Sequence, residues 1–160
     1  MNLGMTSELS RLAELGLGQE KLASYQVLCL PENIFAAASA EALLEPTDSV
    51  DLGKRLKAAG VRCATAYDLG LRTSILERRA GDKWLGTVWI KDKVAVPMVV
   101  GVVSSLIAAG IYGKVSSGEK QPQPQIHLEL YLDNTNGVSR ISYAGDAETL
   151  AKVLRGLEGR

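Results

Sequence analysis

The twenty residues VAVPMVVGVVSSLIAAGIYG, Val94 to Gly113, carry no charge. A run of that length and character has two destinations, a lipid bilayer or the buried middle of a folded domain. Pro97 fits the first turn of a helix and not its interior, which sets the helix start near Pro97 and leaves Val94 to Val96 extended. About 17 residues then remain, roughly 25 Å of helix against a hydrocarbon thickness of about 30 Å. The strand-like run KWLGTVWIKD comes directly before. The flanking charges are mixed, with Lys91, Asp92 and Lys93 on one side and Lys114 and Glu119 on the other. Both features favour a core helix over a span, with a membrane anchor through 94–113 as the alternative. Gly101, Ser105, Ala109 and Gly113 recur every four residues, a small-residue stripe that would admit another backbone at close range.

Around this helix the periodicities describe an α/β chain. Thr6 or Ser7 caps a short amphipathic helix carrying Leu9, Leu12 and Ala13 and stopping at Gly16. YQVLCLPEN is a continuous apolar run ending at a proline, the signature of a buried strand over Tyr25 to Leu30. The alanine-rich segment from Asn33 to Leu44 reads as a helix stopped by Pro46. A second helix begins at Asp48 or Ser49 and ends at Gly60. VRCATAYD follows as a second strand, so strand, helix and strand imply a parallel pair with a crossover. Ser74 and Glu77 have the spacing of a capping box, predicting a short helix over 74–80. KWLGTVWI predicts a third strand.

KVSSGEKQPQPQ is polar and proline-bearing and reads as a linker. Beyond it, IHLELYLDNTNGVSRISYAG alternates on both sides of an Asn-Gly turn, predicting a hairpin with Ile126, Leu128, Leu130 and Leu132 on one face and His127, Glu129, Tyr131 and Asp133 on the other. A final helix capped by Asp146 places Ala147, Leu150, Ala151, Leu154 and Leu157 on one side. The expected architecture is therefore α/β: a small central sheet of about three parallel or mixed strands with flanking helices over 1–115, a linker at 116–125, and a β-hairpin plus helix over 126–160. The hairpin either forms its own layer or continues the central sheet.

Composition narrows the function classes. Lys and Arg number 18, as do Asp and Glu, so the formal net charge is zero and no global field draws the chain to nucleic acid. Cys29 and Cys63 sit in apolar runs and not at metal-ligand spacing, which predicts reduced core thiols. MNLGMTSELS lacks the basic start and apolar run of a secretory signal, which predicts a cytoplasmic protein.

Ligands of open α/β sheets bind beyond the carboxyl ends of the strands. Glu32, Asp68 and Asp92 follow the first, second and third strands. If the strands are parallel, the three acids share one edge, where they could hold Mg²⁺ or Mn²⁺ and activate water against a phosphodiester. The runs LCLPEN, LGKRLKAAGVRCATAYDLGLR and WIKD resemble the PIN-like metal-dependent ribonuclease domains over about Val27 to Asp92, most sharply in AYDLGLR. The resemblance implies Glu32, Asp68 and Asp92 as catalytic and metal-binding residues, Asn33 beside them, and RNA as the substrate. The family's first-strand aspartate falls on Pro31, however, and the second acid of its last motif falls on Val94. A degenerate, non-catalytic relative is equally compatible with these residues, and each acid can instead be a turn former or helix cap.

Arg72, Arg78, Arg79 and Lys83 form a basic run, suited to phosphate or to a solvated face. Single-residue alternation puts Trp84 and Trp89 on opposite faces of their strand, which would exclude one stacking platform. His127, the only histidine, reads as a solvated sheet residue. Two functions follow as expectations: a PIN-like nuclease or its relative acting on RNA, or a non-catalytic assembly subunit. The latter would dock a protein partner or a second copy of the chain through the hairpin and last helix.

Overall fold

In a computed structural model the chain is described over residues 7–77, 82–115, 125–134 and 137–158. The expected linker (save Gln125), the Thr6 cap, Arg78, Arg79 and the turn at 135–136 lie outside the described residues. Helices α1 (Ser7–Glu14) and α2 (Gln19–Leu22) lead into β1 (Val27–Leu30), whose four residues are all buried. After β2 (Leu44–Pro46), helix α3 (Thr47–Ala58) crosses to β3 (Cys63–Ala64), which pairs with β1 in parallel. Gly60, at φ +92°, ends α3 by letting Val61 N–H reach back to the Leu56 carbonyl.

The remaining strands are β4 (Ser74–Leu76), β5 (Lys83–Ile90), β6 (Ile126–Asn134) and β7 (Gly137–Gly145). Helix α4 (Val96–Val115) joins β5 to β6, and α5 (Ala147–Glu158) closes the chain. The central sheet has five strands in the order β3-β1-β5-β6-β7, not three, and the hairpin continues it. It is mixed: β5 runs antiparallel to β1, β6 parallel to β5, and β7 antiparallel to β6. A separate parallel ribbon joins β2 and β4.

One sheet face packs against α3, α4 and α5 through a core that includes Val27, Leu52, Leu56, Val88, Val99, Val103, Leu128, Leu130, Leu150 and Leu154. Val96, Val99, Val100, Val103 and Leu106 of α4 are all buried there. The uncharged run thus begins as a core helix, and no helix among the described residues is long and apolar enough to cross a membrane. Of the small-residue stripe, Gly101 and Ser105 are among the described side-chain positions, and Ala109 and Gly113 lie outside them. Gly101 and Ser105 are exposed and line an open groove with Ala58 and Ala59 of α3. A Cβ added at Gly101 would meet nothing within 4 Å.

The second face is covered by the N-terminal segments, through Leu12, Leu17, Leu22, Ile34 and Leu43 packed on Leu28, Leu30, Trp89 and Tyr131. This cover is why residues 33–44 do not form the expected helix. Phe35 meets the stacked pair Trp89 and Tyr131 edge-on, at centroid distances of 6.1 and 5.2 Å. Arg11 donates to the Ile34 and Ala37 carbonyls, and Asn33 clamps the Ala42 carbonyl and the Leu44 amide. The segment keeps only short turns, including a 3₁₀ turn at Ala40–Ala42; long-range contacts outweigh the weak helical preference of its alanines. The expected helix over 74–80 likewise yields to β4, where Ser74–Leu76 completes a two-stranded ribbon with β2. Val94 and Ala95 are not extended, because the Asp92 carboxylate accepts from Val94 N–H and caps a 3₁₀ turn before α4. Neither Asp48 nor Ser49 caps α3: Asp48 accepts from the Trp84 amide at 2.9 Å and Ser49 is buried.

The two tryptophans share a face, contrary to simple alternation. Trp84 pairs with His127 but Thr87 with Glu129, so β5 carries one extra residue against β6. Gly86, at φ +72°, allows this bulge, and a Cβ there would lie 3.2 Å from the Leu30 carbonyl oxygen and 3.1 Å from Ser49 Oγ.

Candidate functional site

The direction of β5 decides the fate of the three acids. Glu32 and Asp68 follow parallel strands and lie toward the same end of the sheet. Because β5 is antiparallel to β1, Asp92 emerges at the opposite end, beside Gln26, whose side-chain amide reaches its carboxylate at 3.5 Å. The four residues of β1, roughly 13 Å of strand, separate Asp92 from the end where Glu32 stands. Asp68 has its own structural work. Its Oδ2 accepts from Thr65 N at 2.9 Å and Thr65 Oγ1 at 3.1 Å, closing the turn after β3, and it pairs with the Lys57 ammonium. Burial pushes the Asp68 carboxyl up, but the Lys57 ammonium and the Thr65 donors outweigh it and hold the group below its ordinary value. Asn33 is the loop clamp already described. Among the described residues, no group of three or more His, Cys, Asp or Glu side chains could hold a metal ion.

Cys29 and Cys63 are buried free thiols on adjacent strands with their sulfurs 3.5 Å apart. The hydrogen bond to Cys63 and then burial push the Cys29 thiol up. Arg72 is exposed, and Lys83 stands 3.7 Å from Asp48.

Two other regions emerge. The first is a cleft of about 470 Å³ between α3, the β2/β4 ribbon and the loop after β3, lined by apolar Val50, Tyr67, Leu71 and Ile75 and by polar Glu45, Lys54, Lys57, Thr65 and Thr73. Glu45 is only 8% exposed and accepts from Thr73 Oγ1 at 2.8 Å. Sequence reasoning missed this site because it placed Glu45 beside the end of one helix and Ile75 in another. The usable signal was the apolar, hydroxyl-bearing run TSIL, which suits a strand.

The second region is the outer part of the hairpin. Trp84 and His127 stack at 3.6 Å with rings 5° apart, and His127 Nε2 lies 3.4 Å from Asp82. Glu129 accepts from Arg140 Nε at 3.1 Å and from the Ser142 hydroxyl, one strand over. Asp146 caps α5 by accepting from the Thr149 amide at 3.2 Å. Strand β7 forms the sheet edge, with Ser139, Arg140, Ser142 and Ala144 exposed along it. Set against known proteins, the chain matches no family model, no curated protein and no solved structure.

Proposed function

We propose that the chain is a non-catalytic assembly subunit whose β7 edge pairs with β7 of a second copy. The observation that carries this reading is a long, regular edge strand that, among the described residues, has few of the usual protections. Exposed edges are normally blunted by proline, bulges, short length, charged side chains or a covering helix or loop. Strand β7 is nine residues long, pairs with β6 without a bulge and contains no proline. Its one charged residue, Arg140, is already engaged by Glu129. The opposite edge, β3, has two residues. Two antiparallel copies of β7 would form an isologous seam, the commonest geometry of homodimers, and would join the two sheets into one.

Light scattering after gel filtration tests this at roughly 1–100 μM protein, the range of a moderate self-association. A dimer is expected, and the double variant Ser139→Lys/Ala144→Lys should be monomeric with its melting curve nearly unchanged, because charges are added only along the seam. A wild-type chain that stays monomeric throughout overturns the reading.

The metal-dependent nuclease reading, with RNA as substrate and Mg²⁺ or Mn²⁺ held by Glu32, Asp68 and Asp92, needs acids that these strand directions separate. Calorimetric titration with Mn²⁺ distinguishes the two. No heat of binding is expected, whereas saturable binding lost in Asp68→Ala would restore the nuclease reading.

A further inference from the structure

The cleft beside α3 holds two opposite charges that do not meet. Glu45 as a residue is only 8% exposed, and its one hydrogen-bond partner among the described residues is the Thr73 hydroxyl. A buried carboxylate is costly without a cation or several hydrogen bonds. The nearby Lys57 ammonium is committed to Asp68. Lys54, exposed on the same lining, has no hydrogen-bond or ion-pair partner among the described residues and does not reach Glu45.

Beside Lys57, Thr65 and Thr73, the lining carries Val50, Leu71, Tyr67 and Ile75, apolar surface in an unusual place. Tyr67 and Ile75 are 89% and 57% exposed, and they are two of the four large apolar side chains left exposed among the described residues. An acid at the floor, a lysine at the rim and exposed apolar walls between them define a ligand with three matching parts. The volume falls within the range of small-molecule sites.

From this juxtaposition we infer that the cleft binds a zwitterionic apolar α-amino acid. The ammonium group meets Glu45, the carboxylate meets Lys54, and the hydrocarbon side chain covers Val50, Leu71 and Ile75 beneath Tyr67. The bound ligand supplies the cation that Glu45 lacks and covers the exposed apolar surface. The site shares no residue with the β7 seam, so it stands or falls independently of the assembly reading.

Isothermal titration of the full chain with L-leucine and L-phenylalanine, beside N-acetyl-L-leucine and L-leucinamide, provides the test. Saturable binding of the free amino acids is expected. Acetylation, which removes the ammonium charge, and Glu45→Gln should each weaken it roughly ten- to hundredfold. Lys54→Ala should weaken L-leucine but leave L-leucinamide unchanged, because the amide lacks the carboxylate. The inference is overturned if neither amino acid binds, or if N-acetyl-L-leucine binds as tightly as L-leucine. That comparison uses the wild-type chain and decides the matter even if the Glu45 variant fails to fold.

Discussion

The two faces of the central sheet are built by opposite strategies. The helix face is covered from β3 to β7 by regular helices, and the strands present small or aliphatic apolar residues to it: Val27 and Cys29, Val88 and Ile90, Leu128 and Leu130. Among the described residues the opposite face is covered by the N-terminal segment, two short helices and a chain of turns that ends over the aromatic cluster of Phe35, Trp89 and Tyr131. Farther out the same face turns polar within one strand: Tyr131 is buried, while Glu129 and His127 are half-exposed. The difference separates stability from availability. The helix face holds the fold together, and the polar outer part of the other face runs up to the β7 edge of the sheet.

The comparison is broken most directly by truncating adjacent residues of β6 that point opposite ways. Leu130→Ala removes a side chain 2% exposed from the helix-face core and should cost about 2–5 kcal/mol in urea unfolding. Glu129→Ala, its neighbour on the other face, should cost under about 1 kcal/mol. Equal losses would mean that both faces carry the core.

The register that brings Trp84 and Trp89 to one face depends on Gly86, and Gly86→Ala tests that dependence. An alanine at φ +72° is strained, and its Cβ would press on Leu30 and Ser49, so a loss of about 1–3 kcal/mol is expected. Tryptophan fluorescence should change as well, because the Trp84–His127 stack lies one pair beyond the bulge. A stable variant with unaltered emission would show that the bulge does not set the register.

Much of this architecture is written in local periodicity. The continuous run at β1, the alternation across β6 and β7, the Gly60 stop and the Asp146 cap all act over a few residues, and each was legible in the sequence. What was not legible depends on contacts distant in the chain. Ile34 and Phe35 leave helical geometry because Arg11 and the aromatic pair on β5 and β6 hold them. Ser74–Leu76 becomes a strand because Leu44–Pro46 lies beside it. The direction of β5 is a property of the whole sheet, and it separates Asp92 from Glu32 and Asp68. The cleft at Glu45 depends on the β2/β4 ribbon, and so shares that ribbon's illegibility.

A smaller effect sharpens the structural role of Asp68. If the carboxylate closes the turn after β3, Asp68→Ala should lower stability by about 1–2 kcal/mol, as the loss of a cap-like acceptor does. A site of crowded carboxylates would respond in the opposite direction, since removing one relieves repulsion. Because the folded-state group titrates below its ordinary value of 3.8, its contribution is present above that value and is lost as pH falls through the lower, folded-state value. Urea midpoints of wild type and variant should therefore converge between about pH 5 and pH 2. Midpoints that stay parallel would remove the ion pair from the account.

The smallest expected effect concerns the outer face itself. Arg140 lies opposite Tyr131 on β7, donates to Glu129 and stands 5.8 Å from the Tyr131 ring, with 57% of its side chain exposed. An exposed cross-strand pair is worth only about 0.2–1 kcal/mol in the monomer. A double-mutant cycle over Glu129→Ala and Arg140→Ala should return a coupling within that range when unfolding is followed in a dilute, monomeric sample. Self-association provides a separate readout of the same pair. Glu129→Ala removes the carboxylate that Arg140 meets and so adds net positive charge along each copy's side of the proposed seam. Dimerisation should weaken more than monomer stability does, and added salt should recover part of it through screening. If the cycle and the association constant move by the same amount, the pair belongs to the fold alone. A larger change in association would mean that the pairing of Arg140 with Glu129 keeps the edge neutral enough to be shared.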